Sequence, residues 1–360
     1  MRVLALVEAH DGASARLRVA RWLPWLREHG VDVALEEIVR SGPRRWLQLG
    51  RAARFDAVWL QRRLLQPWES AWLRRCSRRL VVDLDDAVWR RDHAPFRSRG
   101  RSWRARALFR RADVVVAGAA TLARELEELG VRAVVLPTPL DGGAVASAPP
   151  RSFAPTPTLA WIGQPSTWRY VAPVVRAWPA IRAALPTARF VAMGSAAAEA
   201  GSSAPDRGDG DGIERRTWSP DAEAELLREA WLGLAPLPDD PWTRGKCGAR
   251  LLSYLAAGLP AVASRVGAQA ELADEFGGES SGAHGSLRDW PSDGALASTL
   301  VDALTAEGAR PSAERSAIAH ARAAQVAARR ALERLGPRLL AALVGDSAGA
   351  DGVAATRPAR

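Results

Sequence analysis

Short apolar runs rich in β-branched residues return along this chain at intervals that leave room for one helix between them. In the first 136 residues they are RVLALV (2–7), VDVAL (31–35), DAVWL (56–60), RLVVDL (79–84), DVVVAG (113–118) and VRAVVL (131–136). Strand runs alternating with helical patterns specify parallel βαβ units. The stretch DGGAVASAPPRSFAPTPT (141–158) then breaks the rhythm with Pro, Gly and Ser, the composition of a connection between domains. A second set follows: TLAWIG (158–163), ARFVAMG (188–194), AWLGLAPL (230–237) and PAVAS (260–264). The expected fold is α/β, with two Rossmann-like, doubly wound parallel-sheet domains facing across a cleft. The expected divisions are a first domain over 1–141, a linker over 142–157 and a second domain over 158–312. A helical stretch follows over 313–343, and a small, polar tail over 344–360 is expected to be disordered. AAAEAGSSAPDRGDGDG (196–212) reads as a surface loop, because no Glu completes a calcium set with Asp209 and Asp211.

The net charge is +10, and its position matters more than its size. Residues 1–141 hold 27 Arg against 17 Asp and Glu, and the remaining residues balance 23 against 23. RLRVARWLPWLREHG (16–30) and RSRGRSWRARALFRR (97–111) interleave Arg with Trp and Leu. That pattern suits either a solvated basic face or peripheral contact with an anionic membrane. No recognition-helix, zinc-finger or aromatic-sheet signature accompanies the charge, so nucleic acid is not expected as a partner. Two cysteines, Cys76 and Cys247, make no disulfide framework, and no His or Cys cluster has metal-ligand spacing. The opening MRVLALVEAHDG is too short for a signal core, and no run has the length of a membrane span. The expectation is a cytoplasmic protein.

One residue breaks the composition. Lys246 is the single lysine beside 49 arginines. It lies in PDDPWTRGKCG (238–248), after a strand and before a helix whose apolar face is Leu251, Leu252, Leu255 and Ala256. At such a junction the unpaired N–H groups of 246–249, the helix dipole and an ammonium make an anion site. Gly245 and Gly248 allow close backbone approach. Arg250, four residues on, is placed to reach a second phosphate oxygen. Asp240 stands where a Walker loop has its first Gly, and Cys247 stands where Ser or Thr would hold magnesium, so ATP hydrolysis is not expected.

At this point the residues take on a family character. LAPLPDDPWTRGKCGARLLSYLAAGLPAVASRVG (234–267) resembles the donor-site segment of glycosyltransferase family 4, retaining enzymes of the GT-B fold. GASARLRVARWLPWL (12–26), FDAVWLQRR (55–63) with RLVVDLDDAVW (79–89), and LAWIGQPSTWRYV (159–171) agree in the same order. The resemblance covers most of residues 1–340 and implies a terminal helix that crosses back to the first domain. It implies that Arg169 and Lys246 hold a nucleoside-diphosphate sugar, with Gly163 opening the first loop and Ser166 and Thr167 as hydroxyl donors. Trp218 stands where relatives place the base, though a buried Trp serves a core equally well. Two glutamates of the family correspond here to Gly245 and Ser253. Asp239, Asp240 and Glu271 are the acids placed to compensate in holding the ribose. A family histidine near the reacting sugar is replaced by Asp85 and Asp86, either catalytic carboxylates or strand-end groups pairing with Arg90 and Arg91. Gly12, Ser14 and Arg16 follow the first strand on the acceptor side, Arg18 reads as solvated, His10 as structural, and Asp83 as a sheet-edge group.

Breaking an anomeric carbon to diphosphate bond requires neutralising the departing dianion while water is kept out. The resemblance implies that fixed cations do so with retention of configuration, with no metal or other cofactor. The donor is a nucleotide sugar, and the acceptor is a glycan, a lipid-linked sugar or a small molecule. Two rival readings follow from the missing glutamates and from the basic first half: an inactive nucleotide- or sugar-binding protein, and a membrane-surface adaptor.

Overall fold

The computed structural model describes residues 1–140, 151, 153–194, 212–277 and 287–345. Most of the connection expected at 142–157, the 196–211 stretch with Asp209 and Asp211, and residues 346–360 lie outside the described residues. The chain divides into two compact units. One comprises Met1–Gly142, Asp239–Cys247 and Ala328–Arg360, and the other Gly143–Pro238 and Gly248–Ala327.

In the first unit, β1 (Arg2–Val7) leads through α1 (Ala13–Arg18) and α2 (Leu23–Glu28) to β2 (Asp32–Glu37). Then come α3 (Pro43–Gly50), β3 (Ala57–Gln61), α4 (Pro67–Cys76), β4 (Leu80–Leu84), α5 (Arg99–Phe109), β5 (Val114–Ala117), α6 (Ala120–Glu127) and β6 (Val134–Val135). The six strands pair in the order β2-β1-β3-β4-β5-β6, and every pair is parallel. β1 is buried from Val3 to Val7, as a central parallel strand covered on both faces must be. The order reverses at β1, so the carboxyl ends of β1 and β3 mark the switch point where ligands bind in open α/β sheets.

In the second unit, β7 (Thr158–Ile162), α7 (Ala172–Ala184), β8 (Arg189–Gly194) and β9 (Ile213–Thr217) form one wing. α8 (Pro220–Glu229), β10 (Leu232–Ala235), α9 (Ala249–Ala256), β11 (Ala261–Ala263), α10 (Ala268–Phe276), β12 (Leu287–Asp289) and α11 (Leu296–Gly308) complete it. The parallel order is β12-β11-β10-β7-β8-β9, with its switch point between β7 and β10. Both sheets carry the doubly wound α/β architecture expected from the strand rhythm. β12 is the strand that rhythm does not show, because LRD is three residues long and two of them are charged.

The helical stretch expected at 313–343 is two helices, α12 (Ser312–Arg330) and α13 (Leu332–Val344), separated at Ala331, which pairs with Leu140. α13 packs within the first unit: Leu335, Leu339 and Leu343 join Trp22, Trp25 and Leu26 of the 16–30 segment in the core beneath β1. Gly336 is required there, since a Cβ would collide with the Trp25 ring. The tryptophans of 16–30 are therefore core residues and not a surface stripe. Among the described residues, no helix is long and apolar enough to cross a membrane.

Candidate functional site

The carboxyl ends of β1, β3 and β4 gather a polar cluster inside the first unit. Alternation along β4 turns Asp83 into the interior, and Arg18 of α1 meets it there. Nη2 lies 2.8 Å and Nε 3.2 Å from Asp83 Oδ1, and Nη1 donates to the Leu136 carbonyl at 2.7 Å. Both side chains are 1% exposed, so Arg18 is a buried partner and not a solvated one. Burial pushes the Asp83 carboxyl up and Arg18 opposes that shift. Burial alone would lower the Arg18 guanidinium, and Asp83 lifts it above its usual value.

Beyond the strand, Asp85 accepts from the Ser14 hydroxyl and lies 3.5 Å from Gln61 Nε2. Asp86 is buried between two cations: Arg62 Nη2 at 2.8 Å from Oδ2 and Lys246 Nζ at 3.3 Å from Oδ1. Lys246 also lies over the Trp242 ring, 5.0 Å from its centroid. Arg62 organises the cluster. Its Nη1 donates to Ser14 Oγ at 3.1 Å, and its Nε is 4.0 Å from Asp85 Oδ1. Its backbone N–H donates to the Asp83 carbonyl at 2.8 Å from a left-handed φ of 63°. A non-glycine residue there is strained by about 1–3 kcal/mol, which persists only where surrounding contacts hold it. Burial pushes the Asp86 carboxyl up, against the pull of Lys246 and Arg62. Thus Asp85 and Asp86 pair with Ser14, Arg62 and Lys246, whereas Arg90 pairs with Glu125 at 2.9 Å. Asp86, a carboxylate of raised proton affinity between a guanidinium and an ammonium, is equipped to bind and deprotonate an incoming hydroxyl.

Lys246 does not open a helix. α9 begins at Ala249, three residues on, after Gly248 in the left-handed conformation at φ 68°. Lys246 is extended, and its N–H donates to the Thr243 carbonyl at 3.1 Å, so it is not among unpaired amides of a first turn. What holds the 239–247 loop is local. Asp240 Oδ1 accepts from the N–H groups of Trp242 and Thr243 at 2.8 Å each, and Asp239 pairs with Arg244. Gly245 is pressed on Ala87, leaving no space for a Cβ. Cys247 packs against Gly118, where a Cβ would come 2.7 Å from its Sγ, and burial pushes its thiol up.

In the second unit the carboxyl end of β7 is the focus. Gly163 donates its N–H to the Met193 carbonyl at 2.9 Å, and a Cβ on it would strike Trp161 and Arg250. Arg250, in the first turn of α9, donates through Nε to the Ile162 carbonyl and through Nη2 to Thr167 Oγ1 at 3.2 Å. Its guanidinium lies 4.9 Å from the Trp161 ring centroid, and burial lowers its pKa. Tyr254, one turn on, accepts from the Ile162 N–H at 3.0 Å and fixes the same strand end. Thr167 Oγ1 donates to the Gln164 carbonyl at 2.8 Å. Ser166 and Arg169 are exposed in the same short helical turn, Pro165–Val171, and Arg169 Nη2 lies 3.2 Å from the Tyr170 hydroxyl.

Elsewhere in this unit, Trp218 follows β9, half-buried, and its indole N–H donates to Glu223 at 2.5 Å. Ser253 is half-buried on α9, and Glu271 is half-buried in the first turn of α10. Gly12 caps α1 in the first unit, accepting from the Arg16 N–H at 3.0 Å, and His10 is exposed with its N–H donating to Glu37. Sequence reasoning missed Arg62 and the buried role of Arg18. Only the first arginine of QRR, directly after a strand, hinted at the former, and nothing local marks the latter.

The comparisons bear on this arrangement. A search of curated proteins finds no match. The fold is shared with solved GT-B glycosyltransferase structures. HepE of Anabaena in complex with UDP and glucose has a TM-score of 0.66 at 14% identity, over 94% of this chain and 98% of that one. A glycosyltransferase of Rickettsia africae has 0.61 at 11%, over 94% and 96%. An alpha-glucosyltransferase in complex with UDP and a 13-mer DNA has 0.63 at 13%, over 96% and 100%. Residues 156–305, which run from the start of β7 into α11, match the family model of glycosyl transferases group 1.

Proposed function

We propose that this protein transfers a glycosyl group from a nucleoside-diphosphate sugar to an acceptor hydroxyl, with retention of configuration and without a metal. The family match over 156–305 carries the reading, because it spans the whole second sheet, with Gly163 and Arg250 at the carboxyl end of β7. The structural neighbours holding UDP, one of them with glucose, support a uridine nucleotide as the first donor to test.

In this reading Arg169 serves the donor phosphates, and Arg250 with Thr167 keeps the β7 end in shape to receive them. Lys246 meets charge that develops on the leaving oxygen. Asp86, held by Arg62 and Lys246, is the acceptor-side base, and Asp85 with Ser14 orients the hydroxyl. Trp218 is the candidate for the base, and Ser253 and Glu271 for the ribose. The test is incubation of the full chain with UDP-, GDP- and ADP-sugars while nucleoside diphosphate release is followed. Release with one donor class supports the reading. A protein that binds a nucleotide without releasing product is a binder, and one that does neither has another function.

A further inference from the structure

We infer that the layer formed by α3, α4 and α5 is a docking face for an anionic lipid bilayer, a role that does not depend on the glycosyl-transfer reading. The argument begins with topology. These helices connect β2 to β3, β3 to β4 and β4 to β5 in a parallel sheet whose strands step in one direction. Right-handed crossovers therefore put all three on the same face. α3 packs on α4 and α4 on α5. The first contact is tied by the Trp72 indole, which donates to the Trp46 carbonyl at 3.2 Å, with ring centroids 5.8 Å apart.

What this layer presents outward is unusual in two respects. Among the described residues five large apolar side chains are exposed, and four of them are here: Trp46 (39%), Leu47 (72%), Trp68 (56%) and Trp103 (57%). The three helices also carry eight arginines, of which Arg45 is buried and the other seven, one on α3, two on α4 and four on α5, are exposed or half-buried. Their only acid is Glu69, which is buried and paired with Arg45 at 3.1 Å. The exposed surface of the layer is therefore positive and aromatic, with no carboxylate of its own helices to offset it. Indoles favour the headgroup level of a bilayer, an aliphatic side chain enters the acyl boundary, and guanidinium groups attract anionic lipid. A nucleic acid would use the same charge, but it offers no apolar phase to Leu47, so the bilayer fits the whole surface.

The experiment is co-sedimentation of the full-length protein with vesicles of phosphatidylcholine, alone or with about 30% phosphatidylglycerol, at low and moderate salt. The expected result is binding that requires the anionic lipid and weakens with salt. It should fall about tenfold or more in Leu47→Ala/Trp68→Ala/Trp103→Ala, three residues whose side chains are more than half exposed. An unchanged melting temperature shows that the loss is not unfolding. Should that variant melt lower, Arg99→Glu/Arg106→Glu, at two exposed positions of α5, is expected to give the same loss by charge alone. No binding, equal binding to both vesicle types, or wild-type binding by the folded variants would overturn the inference. So would capture of a DNA or RNA duplex that leaves vesicles unbound.

Discussion

Lys246 Nζ lies 3.3 Å from Asp86 Oδ1, so the chain's single lysine is paired with a carboxylate 160 positions earlier. The pair belongs to one compact unit, because residues 239–247 cluster with the first sheet. A lysine read from sequence as an open anion site has an internal partner, and its consequences for stability are measurable apart from any activity.

Because burial pushes the Asp86 carboxyl up and Lys246 pulls it down, Lys246→Met should raise it further. A carboxyl raised on folding takes up a proton, so the native state loses stability as pH rises through the raised value. The variant should therefore be less stable than wild type at pH 7, by about 1–2 kcal/mol given Arg62 as a remaining partner. The deficit should shrink on acidification, once Asp86 is protonated. Urea unfolding of both proteins at neutral and mildly acid pH checks this, and a deficit that grows in acid would contradict it.

Arg62 combines three side-chain partners with a left-handed backbone, and two variants separate those contributions. Arg62→Ala loses the contacts and keeps the strain, whereas Arg62→Gly loses the contacts and relieves it. The glycine variant should be the more stable of the two by about 1 kcal/mol. In the proposed reaction both should lose turnover alike, since both leave Asp86 with Lys246 as its one cationic partner of the two.

The Arg18 and Asp83 pair is fully buried, so removing one partner strands the other. Arg18→Met and Asp83→Leu should each cost about 3–5 kcal/mol. The double variant should cost much less than their sum, a coupling read by a thermodynamic cycle on urea midpoints. Additive losses would show that the pair contributes through packing alone.

Gly245 and Ala87 compete for the same volume. Gly245→Ala should destabilise by about 1–3 kcal/mol through overpacking, and Gly245→Ala/Ala87→Gly should recover most of it. Thermal melts of the three proteins decide. Failure of the second change to rescue would mean that Gly245 is needed for its backbone.

Lys246 should also lower turnover, on the reading of glycosyl transfer, by about two to three orders of magnitude when replaced by Met. Nucleoside diphosphate release from the accepted donor measures it, with the vesicle assay as a readout that this change should leave alone.

Much of the architecture was legible along the chain. Strands such as RVLALV and TLAWI announce themselves because a parallel strand covered on both faces must be apolar throughout, a demand met within five or six residues. The weak β12 was not legible, because its three residues are held by register with β11 and not by their own character. Likewise the interleaved Arg and Trp of 16–30 and 97–111 look alike as text. Yet Trp22 and Trp25 are buried beneath β1 and α13, whereas Trp103 is more than half exposed.

Neighbours along the chain were enough to mark the two sets of parallel strands, the glycine-flanked lysine after β10 and the acidic end of β4. Folding was needed to bury Arg18 on Asp83, to gather Ser14, Asp85 and Asp86 around Arg62, and to bring Lys246 to Asp86. A charge takes its partner from whatever the fold brings within a few ångströms, and local pattern carries no record of that distance.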